Sequence, residues 1–328
     1  MSSQILVTGA NGFIGQSLCD KLHQQRRLVR AAIRLANSRV KNIETVLIDT
    51  INAETDWSNT LFGVSVVFHL AARVHVIDNI ISDPLEEFRT VNVQGTLNLA
   101  RQSAKAGVRR FIFVSSIKVN GEKTQPGTPF TADDSPAPVD AYAISKREAE
   151  EGLQQIAAET GMEVVIIRPP LIYGPCVKAN FMNMMRWLNK GIPLPLGAIN
   201  NKRSLVSLDN LIDLLVTCVD HPNAANQTFL VSDGEDLSIT ELLNRTATAL
   251  GKQVLLVPVP QNWLKLVANS LGKLDVYLRL CESLQVDITK TTELLGWVPS
   301  VSVDEALRKT AEDFLTTIHN NCKVTTRC

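Results

Sequence analysis

No stretch of this chain approaches the roughly 20 uncharged apolar residues that a membrane-spanning helix needs. There is no excess charge of either sign, with 33 Lys and Arg against 33 Asp and Glu. Neither nucleic acid nor an anionic membrane is therefore expected as the main partner. The six cysteines (Cys19, Cys176, Cys218, Cys281, Cys322 and Cys328) form no C-x-x-C or metal-ligand spacing. That pattern argues against a metal site and reads as reduced thiols in a reducing compartment. No charged leader or cleavage site precedes the apolar run that begins by Ile5, so a cytoplasmic protein is expected. Internal repeats and low-complexity tracts are also missing. What is present is ordinary for a globular chain: 328 residues, 45% hydrophobic and 20% charged, enough for one large domain or two intimately joined ones.

The first half alternates short β-rich runs with helical patterns, which predicts a parallel sheet wrapped by helices. Strands are expected over 4–8, 28–34, 45–49, 65–70, 110–115 and 163–167, and helices over 13–25, 84–106 and 139–160. Residues 121–138 read as a long, functional loop over the C-terminal edge of the sheet. Beyond Pro175 the pattern turns irregular, with a Pro/Gly loop over 191–201. A helix over 208–220 follows, then a strand over 227–232 that could rejoin the sheet. The expected fold class is α/β: a Rossmann-type doubly wound parallel sheet with a smaller, mostly helical C-terminal substrate domain. Residues 1–174 and about 205–232 would form the dinucleotide-binding part. Residues about 175–204 and 233–328 would form the substrate part.

Gly9, Asn11, Gly12, Phe13, Ile14 and Gly15 lie directly after the first strand and open a helix. Small residues there let the backbone turn tightly and approach a pyrophosphate, which the free N–H groups and the helix dipole favour. The end of the second strand speaks to cofactor choice. An acid there holds a ribose 2′-OH, whereas an arginine accommodates a 2′-phosphate. This strand carries Arg34 at that place, with Arg39 and Lys41 following. NADP(H) is expected as the preferred cofactor, with NAD(H) left open because arginines at strand ends are also common on surfaces.

The fifth strand ends in Ser115-Ser116, and a later helix begins with Tyr142 and Lys146. At i and i+4 the two side chains share a helix face. A nearby ammonium favours the phenolate, so Lys146 is expected to lower the Tyr142 pKa and make it a general acid/base. A serine hydroxyl at the strand end could polarise the reacting carbonyl.

With these pieces in order, the chain resembles the extended short-chain dehydrogenase/reductases, the family of nucleotide-sugar epimerases, dehydratases and reductases, over nearly its whole length. The resemblance implies a catalytic set of Ser116, Tyr142 and Lys146. It also implies cofactor contacts from Asp49, from His69, Leu70, Ala71 and Ala72, from Asn92, and from Pro169 in Arg168-Pro-Pro-Leu-Ile-Tyr173-Gly174. Tyr142 and Lys146 would touch the cofactor as well. Asn180, Arg203 and Arg279 resemble contacts to a substrate diphosphate, for which guanidinium forks are suited.

Two departures from the pattern of UDP-hexose 4-epimerases bear on the reaction. Lys118 and Asn120 stand where those enzymes commonly carry a small residue and a tyrosine beside the substrate, and Arg34 replaces the acid that goes with tightly held NAD. The run through Lys118 resembles a bacterial subgroup of surface-polysaccharide (lipopolysaccharide O-antigen) sugar synthesis. The first expectation is therefore NADPH-dependent reduction of the C4 ketone of a UDP-4-keto-6-deoxy-N-acetylhexosamine. The alternative is a UDP-hexose or UDP-N-acetylhexosamine 4-epimerase with bound NAD. A reductase of small ketones and a dinucleotide-sensing regulator are further readings. The apolar, mildly basic stretch 262–284 is read as a substrate-domain helix or lid, with a membrane-surface role as the other option. By the resemblance, the two long helices over 84–106 and 139–160 would pair across a two-fold axis in a homodimer.

Overall fold

The buried side chains of strand β1 (Gln4–Thr8) alternate between two faces, with Ile5 and Val7 on one side and Leu6 on the other. The same division recurs in β4 (Val64–His69), β5 (Arg110–Val114) and β6 (Glu163–Arg168). Val66, Phe68, Ile112, Val114, Val165 and Ile167 face one core, while Val67, Phe111, Phe113, Val164 and Ile166 face the other. A sheet buried on both sides needs helices on both sides. Helices α1 (Phe13–Gln24) and α6 (Leu208–Asp220) cover the first face. Helices α3 (Thr96–Lys105) and α4 (Ala141–Thr160) cover the second.

The computed structural model describes residues 4–34, 40, 42–74, 83–125 and 127–325. Adding β2 (Leu28–Ile33), β3 (Glu44–Leu47) and β9 (Gln227–Leu230), the main sheet has seven parallel strands in the order β3-β2-β1-β4-β5-β6-β9. The strand order reverses between β1 and β4, so the connections leaving those strands diverge and open a crevice at their C-terminal ends. The Rossmann-type α/β fold is as expected from the sequence, including the return of β9 to the sheet beside β6.

A smaller sheet was not anticipated. Strand β7 (Leu171–Tyr173) pairs with β8 (Arg203–Ser207), which pairs with β10 (Asp236–Leu237). These strands are short and lack an alternation long enough to read. Around them lies a second apolar core, built with α5 (Ala179–Asn189), α7 (Ile239–Ala249) and α11 (Val303–Thr325) and holding Phe181, Met185, Leu242, Leu243 and Phe314. The buried Asp233 carboxylate ties this region to the main sheet. It accepts from the Tyr173 hydroxyl at 2.8 Å, the Ser207 amide at 2.8 Å and Asn210 Nδ2 at 2.7 Å.

The single helix expected over 84–106 is instead three pieces: α2 (Pro84–Phe88), a π-helical stretch (Arg89–Gly95) and α3. Gly95, the last residue of the π-helical stretch, sits at a close contact. A Cβ there would come within 2.7 Å of Ile51 Cγ2 and 3.0 Å of its carbonyl carbon, so only glycine lets the helix lie this close to the loop after β3. π-bulges of this kind are frequent at functional sites. The helix expected from 139 starts two residues later, where Asp140 caps it by accepting from the Ala143 amide at 2.7 Å. No large hydrophobic side chain is exposed within 84–106 or 141–160 among the described residues.

Gly15 of α1 has the closest surroundings of the described glycines, since a Cβ would sit 2.2 Å from the Gly9 carbonyl oxygen. Gly107, with φ +80°, has nothing within 4 Å of a built Cβ. Gly107→Ala should cost only the left-handed backbone, about 1–2 kcal/mol. Gly15→Ala must move backbone and should cost about 3 kcal/mol, the upper end for overpacking. Thermal melting of the two variants beside the parent checks the order; equal losses would contradict this packing.

Candidate active site

The phosphate loop begins with Gly9, whose φ of +67° turns the chain at the end of β1 and whose built Cβ would meet the Ala71 amide at 2.9 Å. The Gly12 amide closes the turn onto the Gly9 carbonyl at 2.9 Å. Gly12 is the extended N-cap of α1 and offers no side chain to its first turn. An anion can be held there by backbone N–H groups and the helix dipole. Asn11, Phe13 and Ile14 are partly accessible along this loop, and Leu70, Ala71 and Ala72 line the opposite bank. This cradle, too narrow for side chains and without a side-chain cap, fits a dinucleotide pyrophosphate. Arg34 follows β2 and Asp49 follows β3, and both are exposed. Arg34 has no ion pair among the described residues, whereas Arg39 and Lys41 lie outside the described residues.

Two of the expected cofactor contacts act from beneath this surface. The His69 ring is fully buried, with Nδ1 2.8 Å from the Thr8 hydroxyl and Nε2 2.9 Å from the Thr96 hydroxyl. Its side chain cannot reach a bound nucleotide; it bolts β1 and β4 to α3. Burial, and then the charge on Lys146, pushes its pKa down to about 3. The Asn92 side chain, at 1% exposure, is also inside. It accepts from the Arg73 amide at 2.8 Å and donates to the Arg73 carbonyl and the Ser145 hydroxyl, each at 3.0 Å. Asn92 thus fastens the bank at 70–73 to α4.

Ser116 leaves β5 in extended conformation and caps a short 3₁₀ turn (Ile117–Val119), its hydroxyl accepting from the Lys118 amide at 3.3 Å. Ser115, its neighbour, is buried with an unpartnered hydroxyl. Tyr142 and Lys146 sit one turn apart at the start of α4. Two links hold that start against the end of β5. Lys146 Nζ donates to the Val114 carbonyl at 2.8 Å and lies 4.0 Å from the centre of the Phe113 ring. Lys118 forms an ion pair with Asp140, the residue that caps α4, and lies 3.5 Å from Glu122. The Pro169 carbonyl accepts from the Ile117 amide at 3.0 Å, which holds the turn from the β6 side. Ser116, Tyr142 and Lys146 are therefore gathered at one end of the sheet, beside the crevice.

The electrostatics differ from the expectation. Tyr142, packed edge-on against Phe88 with ring centroids 6.0 Å apart, is pushed up to about 12 by burial and then by the Asp140 charge. Lys146 is pushed down to about 7 by burial, with Glu150 acting the other way. In the protein alone, desolvation outweighs the attraction that would lower the tyrosine. Counting charges along the helix could not reveal this, because it depends on how deeply the sheet buries both groups.

Asn120 is likewise corrected: it does not face the substrate side. It is buried, accepts from Arg168 Nη1 at 3.0 Å and donates to the Thr131 carbonyl at 2.8 Å. Arg168 in turn forms a buried pair with Glu150 at 2.5 Å, joining β6 to α4. The Arg168–Glu150 pair, 18 residues apart in sequence, carries no sequence signal. Asp140 does carry one, as an acid just ahead of a helix. Arg203, the first residue of β8, is partly buried; Nη1 donates to the Glu282 carbonyl at 2.9 Å, and it has no carboxylate partner among the described residues. Burial lowers its pKa. Asn180, the second residue of α5, is exposed and is not the cap of that helix, which is Lys178. Arg279 is exposed on α9 (Leu274–Cys281), the helix that runs into the Glu282 region.

Residues 5–232 match the model of the NAD dependent epimerase/dehydratase family. The chain belongs to that family. It is 50% identical over 317 residues to a UDP-glucose 4-epimerase of Vibrio cholerae, covering 96% of each chain. A UDP-glucose 4-epimerase of Mycolicibacterium smegmatis is 30% identical, with 94% of this chain and 97% of the relative covered. Among solved structures, the UDP-glucose 4-epimerase of Thermotoga maritima with UDP-glucose aligns at TM-score 0.76 and 25% identity, covering 96% of this chain and 99% of that one. The family membership places this chain among the extended short-chain dehydrogenase/reductases of nucleotide-sugar type.

Two outcomes follow from the charges at the site. Between the folded pKa of about 7 and the ordinary lysine value, the unfolded chain binds the extra proton at position 146, so stability rises with pH across that window. Below it the full cost of burying the ammonium is present. Lys146→Met should therefore abolish turnover yet raise the melting temperature, most below neutral pH and least near pH 10, close to the ordinary lysine value. A lower melting temperature at pH 6 would contradict the burial cost. Asp140→Asn keeps a capping side chain while removing the charge that raises Tyr142. The alkaline limb of its pH–rate profile should move to lower pH, and that of Lys118→Met should move the other way.

Proposed function

We propose that this protein is a UDP-hexose 4-epimerase that uses a bound nicotinamide dinucleotide. The observation that carries the reading is the near full-length likeness to the Vibrio cholerae UDP-glucose 4-epimerase, 50% identical with 96% of each chain covered. The geometry supports it through the gathering of Ser116, Tyr142 and Lys146 where β5 meets α4. The glycine loop and the N-terminus of α1 would hold the pyrophosphate, and the bank at 70–72 would flank it. When bound, the dinucleotide supplies reversible hydride exchange at C4 of the sugar.

The chain's own residues supply the proton chemistry. Tyr142 takes the proton from the C4 hydroxyl as the ketone forms and returns it when the alcohol is rebuilt. Ser116 donates to the same oxygen and orients it. A positive charge near Tyr142, from Lys146 and an oxidised nicotinamide together, opposes the burial that raises its pKa. Residues about 175–204 and 233–328 form the sugar side. Arg203 there presents a guanidinium with no carboxylate partner among the described residues, which suits a nucleotide diphosphate. Asn180 and Arg279 are assigned to the same ligand, and the enzyme is assigned to a homodimer.

One observation favours a second reading. Arg34, exposed just after β2 and without an ion pair among the described residues, would suit a 2′-phosphate, as an NADPH-dependent 4-ketoreductase of a UDP-4-keto-6-deoxy-N-acetylhexosamine would require. The two reactions separate in one pair of assays. Purified protein without added nucleotide should interconvert UDP-glucose and UDP-galactose, and Tyr142→Phe should lose about 10²-fold or more of that rate, the scale of a general acid/base. NADPH oxidation by the 4-keto sugar, without interconversion, would transfer the case to the reductase. In that event Arg34→Ala should erode the preference for NADPH over NADH. Arg203→Leu should raise KM for the nucleotide sugar while leaving cofactor affinity unchanged; an unaltered KM would remove Arg203 from the substrate site.

A further inference from the structure

Helix α8 (Gln261–Ser270) leaves an apolar stripe in solvent. Trp263 is 63% exposed, Leu266 62% and Leu271 just beyond the helix 67%, and Val267 is exposed beside them. The spacing i, i+3, i+4 puts Trp263, Leu266 and Val267 on one face. None of the residues of α8 is buried; Leu264, partly buried, packs on the second core together with Tyr277 and Leu280 of α9. Scattered exposed apolar residues need no explanation, but a contiguous stripe containing tryptophan marks an interaction surface.

The charge around the stripe is one-sided. Lys252, Lys265, Lys273 and Arg279 are exposed, and none has an ion pair among the described residues, while Asp275 is the only acid between 251 and 281. The chain as a whole carries a formal net charge of +0, so this excess of cations is local. An apolar helix face with tryptophan, beside exposed lysines, has the chemistry of a helix lying in the headgroup plane of an anionic bilayer. A second copy of the same patch would set lysines against lysines across a two-fold contact. We propose that the α8–α9 face docks this enzyme on anionic lipid bilayers, with Trp263, Leu266 and Val267 entering the interface and Lys265 and Lys273 meeting lipid phosphates. Arg203 donates to Glu282, one residue beyond α9, so docking sets the assigned sugar side of the molecule close to the membrane surface.

Binding is measured without turnover and so stands apart from the proposed reaction. Full-length protein is floated with vesicles of phosphatidylcholine alone or of phosphatidylcholine mixed with phosphatidylglycerol. Binding to the mixed vesicles, weakened by added salt and absent from the neutral ones, is expected. Lys265→Glu and Lys273→Glu should each lower the partition coefficient by at least about fivefold. Trp263→Ser should lower it by about tenfold or more while leaving the melting curve in place, because the side chain is exposed. Equal binding of parent and lysine variants to the mixed vesicles, or none by the parent, overturns the proposal. So does concentration-dependent self-association abolished by Trp263→Ser, which would assign the stripe to a second copy. Protection of Trp263 from quencher by UDP-glucose alone would assign it to a lid and also overturns docking.

Discussion

The site depends on a buried ammonium. Lys146, at 2% exposure, is held inside the sheet by one carbonyl, that of Val114, and by the face of Phe113. Removing such a group from water is costly, and its pKa falls to about 7 as a result. In return the start of α4, which carries Tyr142, is fixed to the end of β5, from which Ser116 follows. The ion pair of Lys118 with Asp140 fastens the same two elements one turn further out. Buried Glu150 and Arg168 fasten α4 to β6. The hydroxyl, the phenol and the ammonium are thus placed by three links that a single helix makes with adjacent strands.

The cofactor side is built by a complementary device: absence of side chains. Gly9 and Gly15 permit backbone approaches that a Cβ would block, and Gly95 does the same where the π-helical stretch meets the loop after β3. The polar groups nearest these glycines, His69 and Asn92, are turned inward and spend their hydrogen bonds on Thr8, Thr96, Arg73 and Ser145. A rigid bank of backbone is left to face the dinucleotide crevice. Rigid placement of this kind is what a proton-transfer site needs, since a misplacement of about 1 Å can cost orders of magnitude in rate.

Much of this was legible in the sequence because it is local. The Gly9–Gly15 loop and the Tyr142/Lys146 spacing are written within a few residues, and the apolar run of β5 announces a central strand. The missing parts were those that arise only in three dimensions. Nothing near Gly95 shows that it must be glycine, because the contact that requires it is with Ile51, 44 positions away. His69 was legible as part of a motif but not as buried. The rise of the Tyr142 pKa was hidden because burial, not the neighbouring charge, is the larger effect. The small sheet of β7, β8 and β10 was missed because strands of three, five and two residues carry too short a pattern. Lys118, unusual against the family pattern, acquires a role through Asp140, a partner 22 residues away.

A 4-epimerase works both ways on one substrate, which requires that the dinucleotide stay bound between turnovers. The most direct measurement is to denature the purified protein, free of added nucleotide, and identify what it releases. NAD in near equimolar amount to protein is the predicted result. A chain that releases no dinucleotide, yet binds NADPH reversibly, would contradict the epimerase.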